Sequence, residues 1–547
     1  MPIHELLDLK KAFRRVMSDK HDDTWPDVVG YRDYSLRLDE NLGYLSSQLE
    51  HPGSYRASLP LGIDLPKKGF TLRPGVVPLI DDRTIYQATA DFLSPHFRTE
   101  ACVFSNQLSS PESSRMFLPG VDLWLGFQAE EERLCANFPF VVQTDITAYF
   151  EHISHDLLLH RIDDLFSSRV DRTTLREIKI ILQRLWMRWN RSRNRFGIPQ
   201  VNDASSFYAN LYLDELDKWM LRHNYTFLRY VDDMRIFTRD EPSARRALAE
   251  LITQLREMGL YVASAKTKIL DTASVLEEMI LGHQRMDAIE TELRSRDPRR
   301  LQGAASLLED FANELINSPE QFNDRHFRYC VNRFKKLRVN GLGAATHDRM
   351  VIEVLERLKA MPYSTDIFVD YLSLFPDHDV MQQSILEFLE GPYNIYPWQE
   401  MLLLELLIRC QIPIQFLERT TRLARSFALD NWQHPACRAK AYILWGKIGD
   451  YADRREIRAR YHDEEREDVR RAILAAIQEM QIGERNHFYE TVLVDSRAIN
   501  YTTRYIQTLP RPTYHYFNPP RGFEVEEIEA FDISDDIDEL SSEDFLY

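Results

Sequence analysis

The chain has 547 residues, 44% of them hydrophobic and 28% charged, which is the composition of a globular protein with more than one domain. Its 68 basic and 85 acidic residues give a formal net charge of −17, so a basic coat over the whole surface is excluded as a way of binding nucleic acid. The five cysteines form no C-x-x-C pair, which argues against a zinc site or a disulfide framework and predicts a reducing, cytoplasmic setting. The sequence lacks an apolar run as long as a signal peptide or a membrane span, so we expect no membrane association.

Residues 1–289 mix helical patterns with short apolar runs that read as strands, at 140–146, 226–238 and 266–271. This mixture of helix and strand patterns predicts that residues 1–289 have an α+β fold. Residues 290–510 instead show apolar residues at three- and four-residue spacing, broken by short polar turns, which predicts successive helices. We expect an all-α domain of paired helices resembling HEAT-type repeats, with an irregular helical bundle as the alternative.

The last segment, 511–547, begins with a Pro-rich stretch that favours an extended linker. Its final part, 523–547, holds eleven acidic residues and no basic one. We interpret this acidic tail as solvated; the apolar residues between the acids leave docking on a basic groove as the alternative.

Two adjacent acids, Asp232 and Asp233, lie between two apolar runs, which predicts a β-hairpin with the acids at or next to its turn. A solvated turn is the simpler interpretation of this feature alone. A third acid, Asp145, ends the apolar run 140–144, and a carboxylate at the end of a buried strand is costly unless it is paired or binds a cation. Carboxylates on separate strands are suited to Mg²⁺, and a pair of such ions supports in-line displacement at a phosphate.

These residues resemble the motifs of the reverse transcriptases. TDITAYF at 144–150 is similar to the first palm motif, an Asp followed five positions later by an aromatic residue, and YVDD at 230–233 matches the YxDD motif. Further segments follow the family's order: a motif B loop and helix from 197, a motif D at 259–267, a primer-grip hairpin at 281–283, and a fingers segment around Arg73 and Arg83. The resemblance covers residues 60–285 and implies reverse transcriptase fingers and palm, a right-hand polymerase fold, before the helical domain.

The resemblance also implies roles for single residues. The catalytic acids would be Asp145, Asp232 and Asp233, and the Mg²⁺ ligands would be these three together with Ile146. Phe150 would exclude the ribose 2′-hydroxyl and so select deoxynucleotides. The other residues implied in substrate binding, at the triphosphate, the nascent base pair or the leaving pyrophosphate, are Arg73, Arg83, Pro199, Gln200 and Lys266. In motif B the chain departs from many relatives, because Val201 follows Gln200 where they have Gly and an acid, Asp203, lies in the loop, which leaves template selection open.

A basic, Trp-containing segment lies directly before the motif B loop. Arginine and tryptophan at helical spacing favour phosphate contact and base stacking, and the alternative is an exposed basic helix whose tryptophans pack inward. The residues expected to bind nucleic acid are Arg184, Trp186, Arg188, Trp189, Arg191, Arg193 and Arg195.

The helical half resembles that of bacterial defence-associated reverse transcriptases, including the abortive-infection group. This implies an antiphage RNA-directed DNA polymerase that takes deoxynucleoside triphosphates, contacts RNA and its DNA product, uses a nucleic-acid or protein hydroxyl as primer and forms homo-oligomers. Two alternatives are a retron- or intron-type enzyme that copies its own RNA, and a non-catalytic RNA-binding scaffold that keeps the palm fold.

Overall fold

The computed structural model describes residues 1–19, 24–190, 195–200, 202–293, 298–317, 322–342 and 344–515. The first half contains a two-stranded sheet, a four-stranded sheet and the helices that cover them. Its elements in chain order are α1 (Ile3–Leu6), α2 (Leu9–Asp19), α3 (Arg32–Leu36), α4 (Leu38–Leu49), β1 (Leu61–Pro66), β2 (Leu72–Val77), α5 (Ile80–Leu93), α6 (Gly120–Cys135), β3 (Phe140–Asp145), α7 (Tyr149–His152), α8 (His155–Phe166), α9 (Arg172–Trp189), α10 (Asp203–Arg222), β4 (Thr226–Tyr230), β5 (Asp233–Thr238), α11 (Glu241–Glu257) and β6 (Lys268–Asp271).

The four-stranded sheet is antiparallel throughout and has the order β4-β5-β3-β6. The three runs expected to be strands are confirmed, with the central run split into β4 and β5 around a two-residue turn. Asp145 pairs in register with Asp233 across β3 and β5, so the ends of these strands meet at one edge of the sheet.

The second half is helical, as the apolar spacing predicts. Its elements are α12 (Thr272–Leu293), α13 (Pro298–Asn317), α14 (Asp324–Val339), α15 (Ala344–Arg357), α16 (Thr365–Leu372), α17 (Asp379–Glu390), α18 (Pro397–Arg409), α19 (Ile414–Leu429), α20 (Pro435–Ile448), α21 (Tyr451–Ala459), α22 (Glu467–Ala476), α23 (Ile482–Val492) and α24 (Arg497–Thr508). Helices α14, α16, α18, α20, α22 and α24 pack one against the next as a row. The hairpin expected at 281–283 is wrong, because α12 runs through these positions.

The helical half shares a hydrophobic core with the small β1–β2 sheet rather than packing by itself. Trp25, Ile63 and Leu65 belong to the same buried cluster as the row of helices. Polar contacts add to this junction, since Arg471 on α22 pairs with both Asp27 and Asp33. The end of the helical row is therefore fixed to the first half of the chain. Within the described residues, no helix has the length and apolar character needed to cross a membrane.

The contact between α20 and α22 depends on a glycine, because a methyl group at Gly446 would overlap the backbone of Ala476. We predict that Gly446→Ala lowers the free energy of unfolding by about 1–3 kcal/mol, since overpacked backbone must move apart. The matched control is Gly303→Ala in α13, where the added methyl group meets open space and should raise stability by roughly 0.5–1 kcal/mol. Chemical denaturation of both variants measures the difference, and equal behaviour of the two would contradict the tight packing.

Candidate active site

The candidate active site lies where β3 ends beside the β4–β5 turn. The amide of Ile146 donates to the carbonyl of Asp232 at 3.3 Å, which joins the end of β3 to the turn. On the other side of β3, the amide of Ala263 donates to the carbonyl of Asp145 at 2.7 Å. Three separate segments of the chain therefore converge on the carboxyl end of β3.

Asp145 and Asp232 are neighbouring acids at the end of β3. Burial raises the pKa of Asp232 well above its usual range, and the neighbouring charge of Asp145 raises it further. Lys266 partly offsets the negative charge, since its Nζ donates to Oδ2 of Asp145 at 2.9 Å. Both side chains are half-buried. Two close, oxygen-only ligands whose charges repel fit a divalent cation such as Mg²⁺, because a cation between them would relieve the repulsion.

Asp233 has a different partner. Its carboxylate accepts from Arg235, which also pairs with Glu131 at 2.9 Å. Burial raises the pKa of Asp233 while Arg235 lowers it. The part of the chain that the structure describes contains no group of three or more His, Cys, Asp or Glu side chains placed to bind one metal ion. Asp233 therefore lies at the site but is engaged by Arg235 in this conformation.

The loop that contains Pro199 and Gln200 is fixed to the segment that follows β3. The amide of Ile198 donates to the carbonyl of Phe150 at 3.0 Å, and that of Gly197 to Ile153 at 2.9 Å. Gly197 has a φ of +87°, and a side chain there would also crowd the carbonyl of Glu151. The structure thus brings half-buried Phe150 next to buried Pro199 and half-buried Gln200.

The two arginines of the fingers segment have different surroundings. Arg83 is buried in α5 and pairs with Asp19 at 2.6 Å, although it still lines a small cleft together with Gln200. Asp19 also accepts from the amide of Asp203, so Arg83 contributes to holding the start of α10. Arg73 lies half-buried on β2. A role of Arg83 at a triphosphate needs this buried ion pair to open.

The interpretation of the two tryptophans as base-stacking residues is corrected by the structure. Trp186 and Trp189 are 0% and 2% exposed and pack on Tyr86 in the core, and stacking on a base needs an exposed ring. The arginines of the same helix face outwards, with Arg184 and Arg188 both exposed.

Of the other three arginines of the basic segment, the structure describes one. Arg195 is exposed and pairs with Asp156 at 3.0 Å. Arg191 and Arg193 lie outside the described residues.

Several residues at the site were not among those that the sequence predicts to act there. Arg229 and Arg235 flank the acidic turn within strands, and Ser105, Asn210 and Asp217 surround it. A charged residue inside an otherwise apolar strand, as at Arg229 in FLRYV, is a sign of a buried ion pair. That sign identifies the arginine, but its distant partners come only from the fold.

Comparison with known proteins agrees with this arrangement. The family model described as reverse transcriptase (RNA-dependent DNA polymerase) matches residues 65–285. These residues are therefore a reverse transcriptase domain, and by that domain the chain is an RNA-directed DNA polymerase. No curated protein matches the chain.

Among solved structures, the chain is similar to telomerase from Candida albicans, solved in complex with a fragment of telomeric RNA. The identity is 12%, the match covers 64% of this chain and 67% of the other, and the TM-score is 0.28. A likeness at this level carries no conclusion about what the present chain binds.

The different partners of the two adjacent acids lead to a prediction. Asp232→Asn should lower the rate of nucleotide addition about a thousandfold, because several kcal/mol of charge stabilisation in the transition state are lost at roughly 1.4 kcal/mol per tenfold. Asp233→Asn should cost only about 10- to 100-fold, as expected for a residue that supports a ligand. Single-turnover extension rates of both variants test the order, and a larger loss for Asp233→Asn would contradict it.

Proposed function

We propose that the chain is a Mg²⁺-dependent reverse transcriptase that adds deoxynucleotides to a primer hydroxyl in bacterial antiphage defence. The observation that carries this proposal is the meeting of Asp145 and Asp232 at the end of β3, inside the segment matched by the reverse transcriptase family. A fully exposed turn would leave such acids in water, whereas here partial burial and mutual repulsion favour a cation between them.

In this proposal Asp145, Asp232 and the Ile146 carbonyl would hold the cations, and Asp233 would support them. Cations held there would favour ionisation of the attacking primer hydroxyl and offset the negative charge that develops on the leaving pyrophosphate. Lys266, already within hydrogen-bond distance of Asp145, would turn its ammonium group towards the departing phosphate oxygen and give it a proton.

The neighbouring loop supplies the rest of the substrate site. Phe150 would lie under the sugar, and Pro199 and Gln200 would contact the nascent base pair, since their loop is bonded to the backbone of Phe150. We assign triphosphate binding to Arg73 and, once its pair with Asp19 opens, to Arg83.

We assign nucleic-acid binding to the outward-facing arginines of α9 and not to its buried tryptophans. Arg184 and Arg188 are four residues apart and exposed on one helix, so both can reach a phosphate backbone, Arg184 with the part of its guanidinium that does not bond the carbonyl of Tyr55 at 3.2 Å. Template RNA is the partner we propose for this surface. An untemplated reaction is the alternative, because the motif B loop departs from the pattern of many relatives.

We also propose the subgroup of reverse transcriptases to which the chain belongs. We infer a defence-associated, abortive-infection-like enzyme from the long row of paired helices that follows the palm, which we interpret as HEAT-type repeats. Such an enzyme would work in the cytoplasm, use a nucleic-acid or protein hydroxyl as primer and assemble as a homo-oligomer.

The direct test is DNA synthesis by the purified protein with its bound nucleic acid retained, labelled deoxynucleotides and Mg²⁺. We predict labelled product from the wild type and none from the double variant Asp232→Ala, Asp233→Ala. The matched control is Asp163→Ala, Asp164→Ala, which removes two adjacent acids from the outer face of α8 and should leave synthesis unchanged. The same three proteins, expressed in bacteria challenged with phage, test the defence role. Protection that survives loss of the catalytic acids would contradict a defence based on synthesis.

The position of Phe150 gives a prediction on sugar selection. Phe150→Ala should raise the ratio of ribonucleotide to deoxynucleotide kcat/KM at least about tenfold, because removing steric bulk from a pocket typically changes discrimination by that order. Competition assays with both nucleotides measure the ratio. Leu157→Ala is the control, since it removes an exposed side chain of α8. An unchanged ratio in the Phe150 variant would show that another residue excludes the 2′-hydroxyl.

A further inference from the structure

The turn that carries Asp232 has an unfavourable backbone conformation. Tyr230 and Asp233 pair in register, so Val231 and Asp232 alone form the connection. Val231 has a φ of +53°, in the left-handed region that a β-branched residue rarely adopts. Such a conformation costs about 1–3 kcal/mol and persists only where surrounding contacts determine it. The contacts that hold Val231 therefore decide where the neighbouring carboxylate points.

Two side chains bond to the backbone of Val231. Its amide donates to Oγ of Ser105 at 2.7 Å, and its carbonyl accepts from Nη1 of Arg229 at 2.8 Å. Both side chains are 1% exposed, so the donor or acceptor that each supplies to Val231 is shielded from bulk water. The peptide groups on each side of Val231 are thus fixed by side chains that do not themselves touch the reacting groups.

Arg229 is in turn held by helix α10. Its guanidinium donates to both carboxylate oxygens of Asp217, at 2.8 and 2.5 Å, and to Oδ1 of Asn210 at 3.1 Å. Asn210 and Asp217 are seven residues apart and so lie on one face of α10. Asn210 also donates to the carbonyl of Ser105 at 3.3 Å, which closes a ring of contacts around the turn.

A structural role alone is a weak explanation of this arrangement. Burying an arginine and an aspartate is expensive, and an apolar pair of similar volume often stabilises a protein as well or better. The fork of Arg229, however, makes four bonds at once, to both oxygens of Asp217, to Asn210 and to the Val231 carbonyl. An apolar side chain makes none of them, and a lysine has only three donors on a single nitrogen.

We propose that Ser105 and Arg229 are positioning residues that aim Asp232 at the bound cations, and that α10, the helix behind the Gln200 loop, is coupled to the carboxylate turn through Asp217. This inference rests on the proposed function. It adds that residues which do not touch the cation set the affinity of the cation site. Residues that hydrogen-bond to metal ligands commonly have this effect.

The test measures Mn²⁺ binding to the full chain by electron paramagnetic resonance, which needs no turnover, beside deoxynucleotide addition. For Ser105→Ala we expect the Mn²⁺ dissociation constant to rise about tenfold and kcat to fall about 10- to 100-fold. KM for the nucleotide should change less than about twofold, as expected when ground-state binding of the substrate is untouched. Ser364→Ala, which removes another buried hydroxyl in the helical half, should leave all three values unchanged.

A second variant separates positioning from folding. Glycine adopts positive φ without strain, so Val231→Gly should make the turn less dependent on Ser105. In the Val231→Gly background, Ser105→Ala should therefore cost less than half of its effect on Mn²⁺ affinity in the wild type. Equal costs in both backgrounds, or unchanged Mn²⁺ affinity in Ser105→Ala, would overturn the inference while a wild type that binds Mn²⁺ and makes DNA leaves the proposed function intact. A wild type that does neither would contradict the proposed function itself.

Discussion

The active site depends on the repulsion between Asp145 and Asp232, two half-buried carboxylates brought together at the end of β3. Such a pair is stable only if a cation or a proton intervenes, because low polarity strengthens the repulsion and removes hydration. The surroundings restrain the pair and neutralise it only in part. The two acids come from separate segments, each fixed through its backbone: Asp145 by Ala263 and Asp232 by Ile146. Lys266 supplies one positive charge, and Arg235 is occupied by Asp233 and Glu131.

The β1–β2 sheet shares a hydrophobic core with the helical half, and this shared core restricts movement of the sheet. Ile63 and Leu65 pack into the same cluster as the helical row, and the carbonyl of Gly62 lies 3.0 Å from Nε2 of His434. A shift of this sheet towards the active site would therefore have to disturb the junction with the helical half. The helical half thus holds the β1–β2 sheet in place, although none of its described residues belongs to the carboxylate cluster.

The sequence predicted the parts of this architecture that depend on local pattern. The strands around Asp145, the hairpin at Asp232 and the helices beyond residue 290 follow from apolar periodicity and turn residues. It gave the wrong environment for Trp186 and Trp189, because an amphipathic helix shows which residues share a face but not which face is inside. It could not reveal that Asp217, twelve residues before Arg229, is its partner, or that Asp233 pairs with Arg235, since the geometry of a buried ion pair depends on the packing of several elements.

The central claim is that Asp145 and Asp232 together bind the catalytic cations. Anomalous diffraction from crystals grown with Mn²⁺ and a non-hydrolysable deoxynucleoside triphosphate tests it most directly. The account predicts Mn²⁺ peaks within bonding distance of both carboxylates and of the nucleotide phosphates, with Lys266 displaced from Asp145 and Asp233 still paired with Arg235. Crystals with ordered nucleotide but no Mn²⁺ at Asp145 and Asp232, or with Mn²⁺ bound by Asp233 in place of Asp232, would contradict it.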